Sequence, residues 1–347
     1  MTSAISFVRD DHLAVMSAVM SNDSQPSDSR SPGLPAILLV FLLSLIPASG
    51  AACRRSSGSP EKPAAPNNSS NANSGNATPL IKENSVEAAP AFRTVVLTGA
   101  KNLEQLKSQL GPEGTTLMLK INRVDLKHIR TNETLLIPDA AKGLLSCSPF
   151  PLTAQSAGGM AKLIVVSRAI QAFGAYESGK LVMWGPTSTG KKATPTPEGL
   201  FFANWKARQT ASTVDSAWIL NWCVNLDNMD GVSLHEYELP GYPASHSCVR
   251  LLEADAHWIY GWIDQWILSK DGKNVLAKGT PVIIFDQYSY KDPSPWKRIG
   301  ENRAAAVVSS NGIESAISKH AGRIQEALAA RGSVMVQSPS PQSASKP

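Results

Sequence analysis

The chain has 347 residues, 42% of them hydrophobic and 18% charged, enough for one sizeable core with a smaller module beside it. Formal charge is +5, yet the 33 lysines and arginines are scattered and form no basic block, so the footprint of a nucleic-acid-binding protein is missing. A basic surface of this kind still suits an anionic polymer.

In chain order, the first feature is LPAILLVFLLSLIPASGAAC, residues 34–53, an apolar run closed by small residues, with Arg30 ahead of it. The run falls short of the about 20 apolar residues that span a bilayer, so residues 1–53 read as a cleaved secretory signal rather than a retained helix. Met16 and Met20 offer later starts. Two cuts stay open. Ala48 and Gly50 suit an ordinary signal peptidase, whereas Gly50, Ala51, Ala52 and Cys53 resemble the bacterial lipoprotein signal, which implies lipidation of Cys53. Leucine is usual where Gly50 stands. Either cut predicts an exported protein of the periplasm or cell envelope, touching the membrane only through such a lipid.

Residues 54–90 are rich in Ser, Asn, Pro, Ala and Gly and cannot bury enough apolar surface to offset ordering, so they read as a disordered linker; residues 333–347 read the same way. Between linker and residue 142, TVVL, then NLEQLKSQL with Leu103, Leu106 and Leu110 at helical spacing, then TLMLKINRV and TLLIPD predict strand, helix, helix, strand. This order, with Asn122 and ETLLIP, resembles a divergent LysM domain over residues 91–142. The resemblance implies a grip on N-acetylglucosamine polymers; a plain packing module without ligand is the alternative. If the module only held glycan, removing it would spare turnover of small soluble peptides.

From Lys162 the pattern turns to short β-rich runs: KLIVVSR, AIQAFGAYE and KLVMWGP, with Glu177, Ser178 and Gly179 as a turn, predict a mostly antiparallel sheet. TGKKATPTPEG follows as a loop stiffened by Pro195 and Pro197, and GTPVIIFDQ supplies a last strand near 280–287. In ADAHWIYGWIDQWI, the spacing puts Trp258, Ile259, Trp262, Ile263, Trp266 and Ile267 on one helical face, read as core packing. Ile313, Ile317, Ile324 and Leu328 mark a helical extension over 300–332, with His320 near its packing side; neither His320 nor His257 is given a catalytic part.

The chemistry concentrates in HEYELPGYPASHSCVRL, residues 235–251. A structural zinc site would want four ligands in close pairs, and no second pair exists, so no metal is expected. Four cysteines in so long a chain make a poor disulfide framework, although Cys147 and Cys223 could pair after export. A thiol nucleophile explains more. His235 and His246 are near enough in sequence to Cys248 to serve as its base, Arg250 adds a fixed cation, and GYPAS makes an exposing loop.

SHSCVRL is similar to the SHGC-(I/V)-R-(L/M) signature of bacterial L,D-transpeptidases, with the upstream His235, TGKKATPTPEG and the later GTPV in the family's order. The resemblance implies a mainly β fold: an L,D-transpeptidase-like β-sandwich catalytic domain with flanking helices over 160–290, plus the small α+β LysM-like module. It further implies Cys248 as nucleophile, His235 as base, and His246, Arg250, Ser245 and Ser247 as oxyanion or site-organising groups. Peptidoglycan stem peptides and glycan strands would be the partners, with an acceptor protein as a further option, and neither metal nor organic cofactor would be needed because the thiol carries the covalent step. The acyl group would pass to an amine as a 3,3 cross-link or protein attachment, or to water in an L,D-carboxypeptidase. Two departures stand out. Ser247 occupies the usual glycine position, where a positive φ would strain it, and Glu236 puts a carboxylate beside the base, where it would raise the base's pKa. A catalytically impaired wall-binding scaffold and an unrelated cysteine hydrolase are the competing classes.

Overall fold

The computed structural model describes residues 92–138 and 143–337; the signal, the linker, Cys53 and the end of the C-terminal tail lie outside them. Strand β1 (Phe92–Val96) pairs antiparallel with β2 (Thr134–Pro138), and helix α1 (Ala100–Asn122) lies between them. Gly111 interrupts the helix with φ 67° just before Pro112, which has no N–H to continue the ladder, so the helix kinks into two. Strand, helix, helix, strand is therefore the order present. Asn122 stitches the helix end to β2, its Nδ2 donating to the carbonyls of Met118 and Leu136 at 2.8 Å and its Oδ1 accepting from Leu136 N at 2.9 Å.

The strands of the main body are β3 (Leu163–Ser167), β4 (Ala172–Glu177), β5 (Lys180–Ser188), β6 (Gly199–Phe202), β7 (Lys206–Ala211), β8 (Ile219–Asp227), β9 (Val232–Glu236), β10 (Val249–Leu251) and β13 (Pro281–Phe285), while β11 (Ile267–Leu268) and β12 (Val275–Ala277) pair apart from it. The nine form one sheet in the order β6-β13-β3-β4-β5-β10-β9-β8-β7. The expected antiparallel sheet is in fact mixed, because β3 with β13 and β9 with β10 run parallel. The sheet curls. Ile164, Val166, Phe173 and Ala175 of one half share a core with Val224, Leu226, Leu234, Val249 and Leu251 of the other, which gives the sandwich-like interior. Alternate residues Leu163, Val165, Ala172 and Tyr176 face a second core with Leu117, Ile121 and Leu136. Covered on both faces, β3 is apolar without alternation, as LIVV reads.

The tryptophan-rich segment departs from its expected single helix. Helix α2 spans Glu253–Trp262 and stops, with Ile263 already extended at ψ 142°. Asp264 N donates to Thr280 Oγ1, Thr280 N to Asp264 O, and Trp266 N to Asn204 O, so the chain beyond is captured by neighbouring strands. Gly279 permits this approach, since a Cβ there would sit 2.2 Å from Ala203 O. Trp258, Ile259 and Trp262 share the helix, but Trp266 and Ile267 do not; Ile267 pairs in a separate two-stranded sheet. Helices α3 (Arg303–Ala306), α4 (Ser310–Ser318) and α5 (Ala321–Gln337) make up the C-terminal extension, with Ile313, Ile317 and Ile324 fully buried and Leu328 packed against the same core.

The two described segments form one compact unit. Lys120 of α1 is buried in an ion pair with Asp255 of α2 and donates to Trp184 O at 3.0 Å. Arg123 is buried between the rings of Trp184 and Trp296 and donates to Ile170 O at 3.0 Å. Val124 then bridges to Pro240, which fastens the end of α1 to the loop leading to Cys248. Residues 92–138 are thus packed into the same core as the large sheet and not merely tethered to it. Among the described residues, no helix is long and apolar enough to cross a membrane.

Candidate active site

Parallel pairing of β9 with β10 sets Leu234 against Val249 and His235 against Arg250. Leu234, Val249 and Leu251 point into the core. The two-residue period of a strand therefore sends Ser233, His235, Cys248 and Arg250 to the opposite face. Residues 15 positions apart thus become lateral neighbours, and Cys248, immediately before β10, lies diagonally across from His235 on the same sheet surface.

The loop between them is held at several points. Ser188 Oγ donates to Tyr242 O at 2.7 Å and accepts from Ala244 N at 3.1 Å, while Ser245 N donates to Thr189 O at 3.1 Å and Lys191 N to Ser245 O at 2.9 Å. Ser245 Oγ and Thr196 Oγ1 both donate to the carbonyl of Cys248, and Gly190 N donates to Thr196 Oγ1 at 2.8 Å. Gly190 must be glycine here, because a Cβ would meet Thr194 O at 2.2 Å. TGKKATPTPEG is the buttress of SHSC. Ser245 acts on the backbone of the nucleophile and not on its thiol.

Ser247 adopts φ 103°, the left-handed region that its substitution for glycine was expected to strain; its hydroxyl donates to Asp230 O at 3.3 Å. Cys248 is half-buried, and its thiol donates to Gly231 O at 3.1 Å. Burial pushes the thiol pKa up, against a lowering by the Ser233 main chain and by the Arg250 charge. At rest the sulfur keeps its proton.

His235 is 3% exposed, and Nδ1 donates to its neighbour's carbonyl, Glu236 O, at 2.8 Å. That bond fixes the proton on Nδ1 and leaves the Nε2 lone pair as the basic site. Burial lowers the pKa from 6.5 to about 4, opposed by the Glu236 carbonyl and reinforced by Arg250. The expectation that Glu236 would raise the base is corrected: its carboxylate turns to Asn221 Nδ2 at 2.9 Å, and only its carbonyl meets the ring.

His246 is occupied differently. Lys191 Nζ stands 2.8 Å from Nε2, the ring packs against Trp218 at 5.2 Å, and Nδ1 is buried without a hydrogen-bond partner. A lysine on its lone pair makes His246 a poor base beside His235. Arg250 lies over the Tyr237 ring at 4.6 Å and donates to Glu238 O at 3.5 Å, near enough to Cys248 to act on it by charge. The Cys147–Cys223 pairing is also corrected. Both are free and buried, Cys147 in the outer core and Cys223 hydrogen-bonded to Ser233, where burial lifts its pKa to about 12. His257 packs on Trp222 at 4.3 Å, away from this chemistry. No cluster of three metal-ligating side chains occurs among the described residues.

Lys191, Trp218, Thr196 and the Gly231 carbonyl complete the site and were not singled out from sequence. Lys191 and Thr196 lie inside a segment that was recognised, but nothing local indicates that they cross to residues more than fifty positions away.

Residues 161–284 match the YkuD family model, the L,D-transpeptidase catalytic domain. Among solved structures, L,D-transpeptidase 1 of Mycobacterium tuberculosis shares 24% identity over 36% of this chain and 61% of its own, with a TM-score of 0.27. An L,D-transpeptidase of Stackebrandtia nassauensis shares 23% over 37% and 57%, with a TM-score of 0.30. Residues 123–326 of an L,D-transpeptidase of Xylanimonas cellulosilytica share 19% over 57% and 98%, with a TM-score of 0.34. The chain thus spans about three fifths of the length of the first two. No curated protein matches it in sequence. The matched segment contains the whole curled sheet and the loop from His235 to Cys248.

Proposed function

We propose that the protein is an exported, cysteine-dependent L,D-transpeptidase of peptidoglycan. The observation that carries this reading is the placement of His235 on β9 and of Cys248 at the entry to the parallel strand β10, both on one face of the sheet, with the His235 proton fixed on Nδ1 by the Glu236 carbonyl. It is a Cys–His pair with a main-chain carbonyl as orienting group.

Cys248 Sγ attacks the carbonyl carbon of the third stem residue while His235 Nε2 takes the thiol proton. The bond to the terminal D-alanine nitrogen breaks, His235 returns the proton to that leaving amine, and a thioester remains on Cys248. An amine of a second stem attacks the thioester, forms the new amide and releases the thiol. Burial keeps both groups neutral at rest. Deprotonation therefore accompanies attack and does not precede it. Export follows from the apolar run of residues 34–53, with Cys53 as a lipid site if the lipoprotein cut is used. A glycan grip by residues 92–138 would keep the stem near the thiol.

The test is mass spectrometry of the protein and its Cys248→Ala form incubated with disaccharide-tetrapeptide carrying diaminopimelate. Cysteine-dependent dimers lacking one D-alanine support transpeptidation. Tripeptide alone moves the reading to an L,D-carboxypeptidase, and no change in either sample moves it to a wall-binding scaffold.

A further inference from the structure

Two cations, Lys191 and Arg250, converge on His246, two residues before the thiol. Lys191 Nζ reaches His246 Nε2 at 2.8 Å from the buttress loop, and Trp218, from the turn between β7 and β8, lies against the same imidazole at 5.2 Å. Arg250 approaches from β10, spread over Tyr237. Among the described residues, neither Lys191 nor Arg250 has a carboxylate within ion-pair distance; Glu238 acts on Arg250 by charge from further off, and the hydrogen bond between them is to its main-chain carbonyl at 3.5 Å. Both charges act on His246, and that of Arg250 acts on Cys248 as well.

Lys191 spends one of its three N–H donors on His246 and keeps two. Its main chain is fixed to Ser245, three residues before the nucleophile, so the ammonium is carried by the same turn that carries the thiol. Charge-assisted hydrogen bonds to an anion are the natural use of donors placed this way. We propose that Lys191, held by His246 and Trp218, forms with Arg250 a subsite for a carboxylate of the substrate, and that this subsite selects acidic over amidated stem peptides.

The inference deepens the transpeptidase reading and rests on it for the identity of the peptide. Beside the scissile bond a stem peptide offers that chemistry twice, at the C-terminal D-alanine and at the side chain of diaminopimelate.

Binding is measured by calorimetry on the full chain carrying Cys248→Ala, so that no turnover intervenes. Three ligands are used: the disaccharide-tetrapeptide with both carboxylates free, with the side-chain carboxyl amidated, and with the C-terminal carboxyl amidated. Lys191→Met should weaken binding of the free acid by about tenfold or more, and Lys191→Arg should restore most of it. One amide should bind the parent as weakly as the free acid binds Lys191→Met and be indifferent to that change, which identifies the carboxylate held. Equal weakening of all three ligands, or of none, overturns the subsite. Selective acid binding without Cys248-dependent turnover in the unsubstituted protein would sink the transpeptidase reading and leave the subsite. No binding of any ligand overturns the subsite outright.

Discussion

Asp125 and Leu239 exchange two hydrogen bonds: Asp125 N donates to Leu239 O at 3.0 Å, and Leu239 N donates to Asp125 Oδ2 at 2.7 Å. Asp125 Oδ1 also accepts from the main chain of His128 at 3.0 Å and lies 2.8 Å from its Nδ1. One aspartate of the N-terminal segment therefore clasps the loop that joins His235 to Cys248. Asp125→Ala should free Leu239 N and loosen that loop, at a cost of about 1–3 kcal/mol. Steady-state kinetics should show a fall in kcat larger than any rise in KM. An unchanged kcat in a folded variant would deny the clasp any part in positioning.

Lys120 and Asp255 are each nearly inaccessible, and Asp255 Oδ2 has no hydrogen-bond partner. Lys120→Met should cost about 3–5 kcal/mol by stranding a buried carboxylate, whereas Lys120→Met with Asp255→Leu should recover most of the loss. Urea melts of the four members of the cycle measure the coupling. Additive losses would mean that the pair does not couple the segments.

Ser247 at φ 103° should be relieved by glycine. Ser247→Gly removes strain of about 1–3 kcal/mol and loses one long hydroxyl bond, so a net gain of about 1 kcal/mol is expected in thermal unfolding. Destabilisation would show instead that the bond to Asp230 O outweighs the backbone term.

His235 is held neutral, with its pKa lowered from 6.5 to about 4. Below pH 6.5 the unfolded chain takes up a proton that the folded chain refuses, so the stability is full above 6.5 and is lost as pH falls towards 4. A shift of that size amounts to about 3 kcal/mol. Asp286 works in the opposite sense over part of that window: burial raises it from 3.8 to about 6, so its contribution is full below 3.8 and is lost as pH rises through 6. Subtracting the stability curve of His235→Asn from that of the parent isolates the histidine. A difference that is flat between pH 6.5 and 4 would contradict its burial as a neutral base.

The thiols should react in a set order. Cys248 alone of Cys147, Cys223 and Cys248 is more than marginally accessible, and its raised pKa keeps it slow. Iodoacetamide at pH 7 should label it more slowly than free cysteine, and Cys147 and Cys223 only after unfolding. Fast labelling of Cys248 at neutral pH would point to a resting thiolate.

The β-rich body, the gathering of His235 and Cys248 on one sheet face and the positive φ of Ser247 were legible because local signals carry them: alternating or continuous apolar runs, a compact His and Cys cluster, and a serine in a glycine position. What escaped was set by distant contacts. Helix α2 ends at Trp262 because Thr280 and Asn204, beside distant strands, capture Asp264 and Trp266; Gly261 was the sole local hint of the stop, and the spacing of the tryptophans read past it. The parallel pairings depend on which strands meet, which periodicity does not encode. Lys191 reads as an ordinary loop lysine until residue 246 arrives beside it, and the Glu236 carboxylate misled because its direction depends on Asn221.

The ion pair of Lys120 spans 135 positions in sequence, and Arg123 needs Ile170 and Trp296 from still more scattered places. During synthesis, then, residues 92–138 emerge with two cations whose burial cannot be completed until most of the chain has followed. For a polypeptide threaded unfolded across a membrane, one route the proposed export could take, such late closure is useful: this segment cannot lock prematurely.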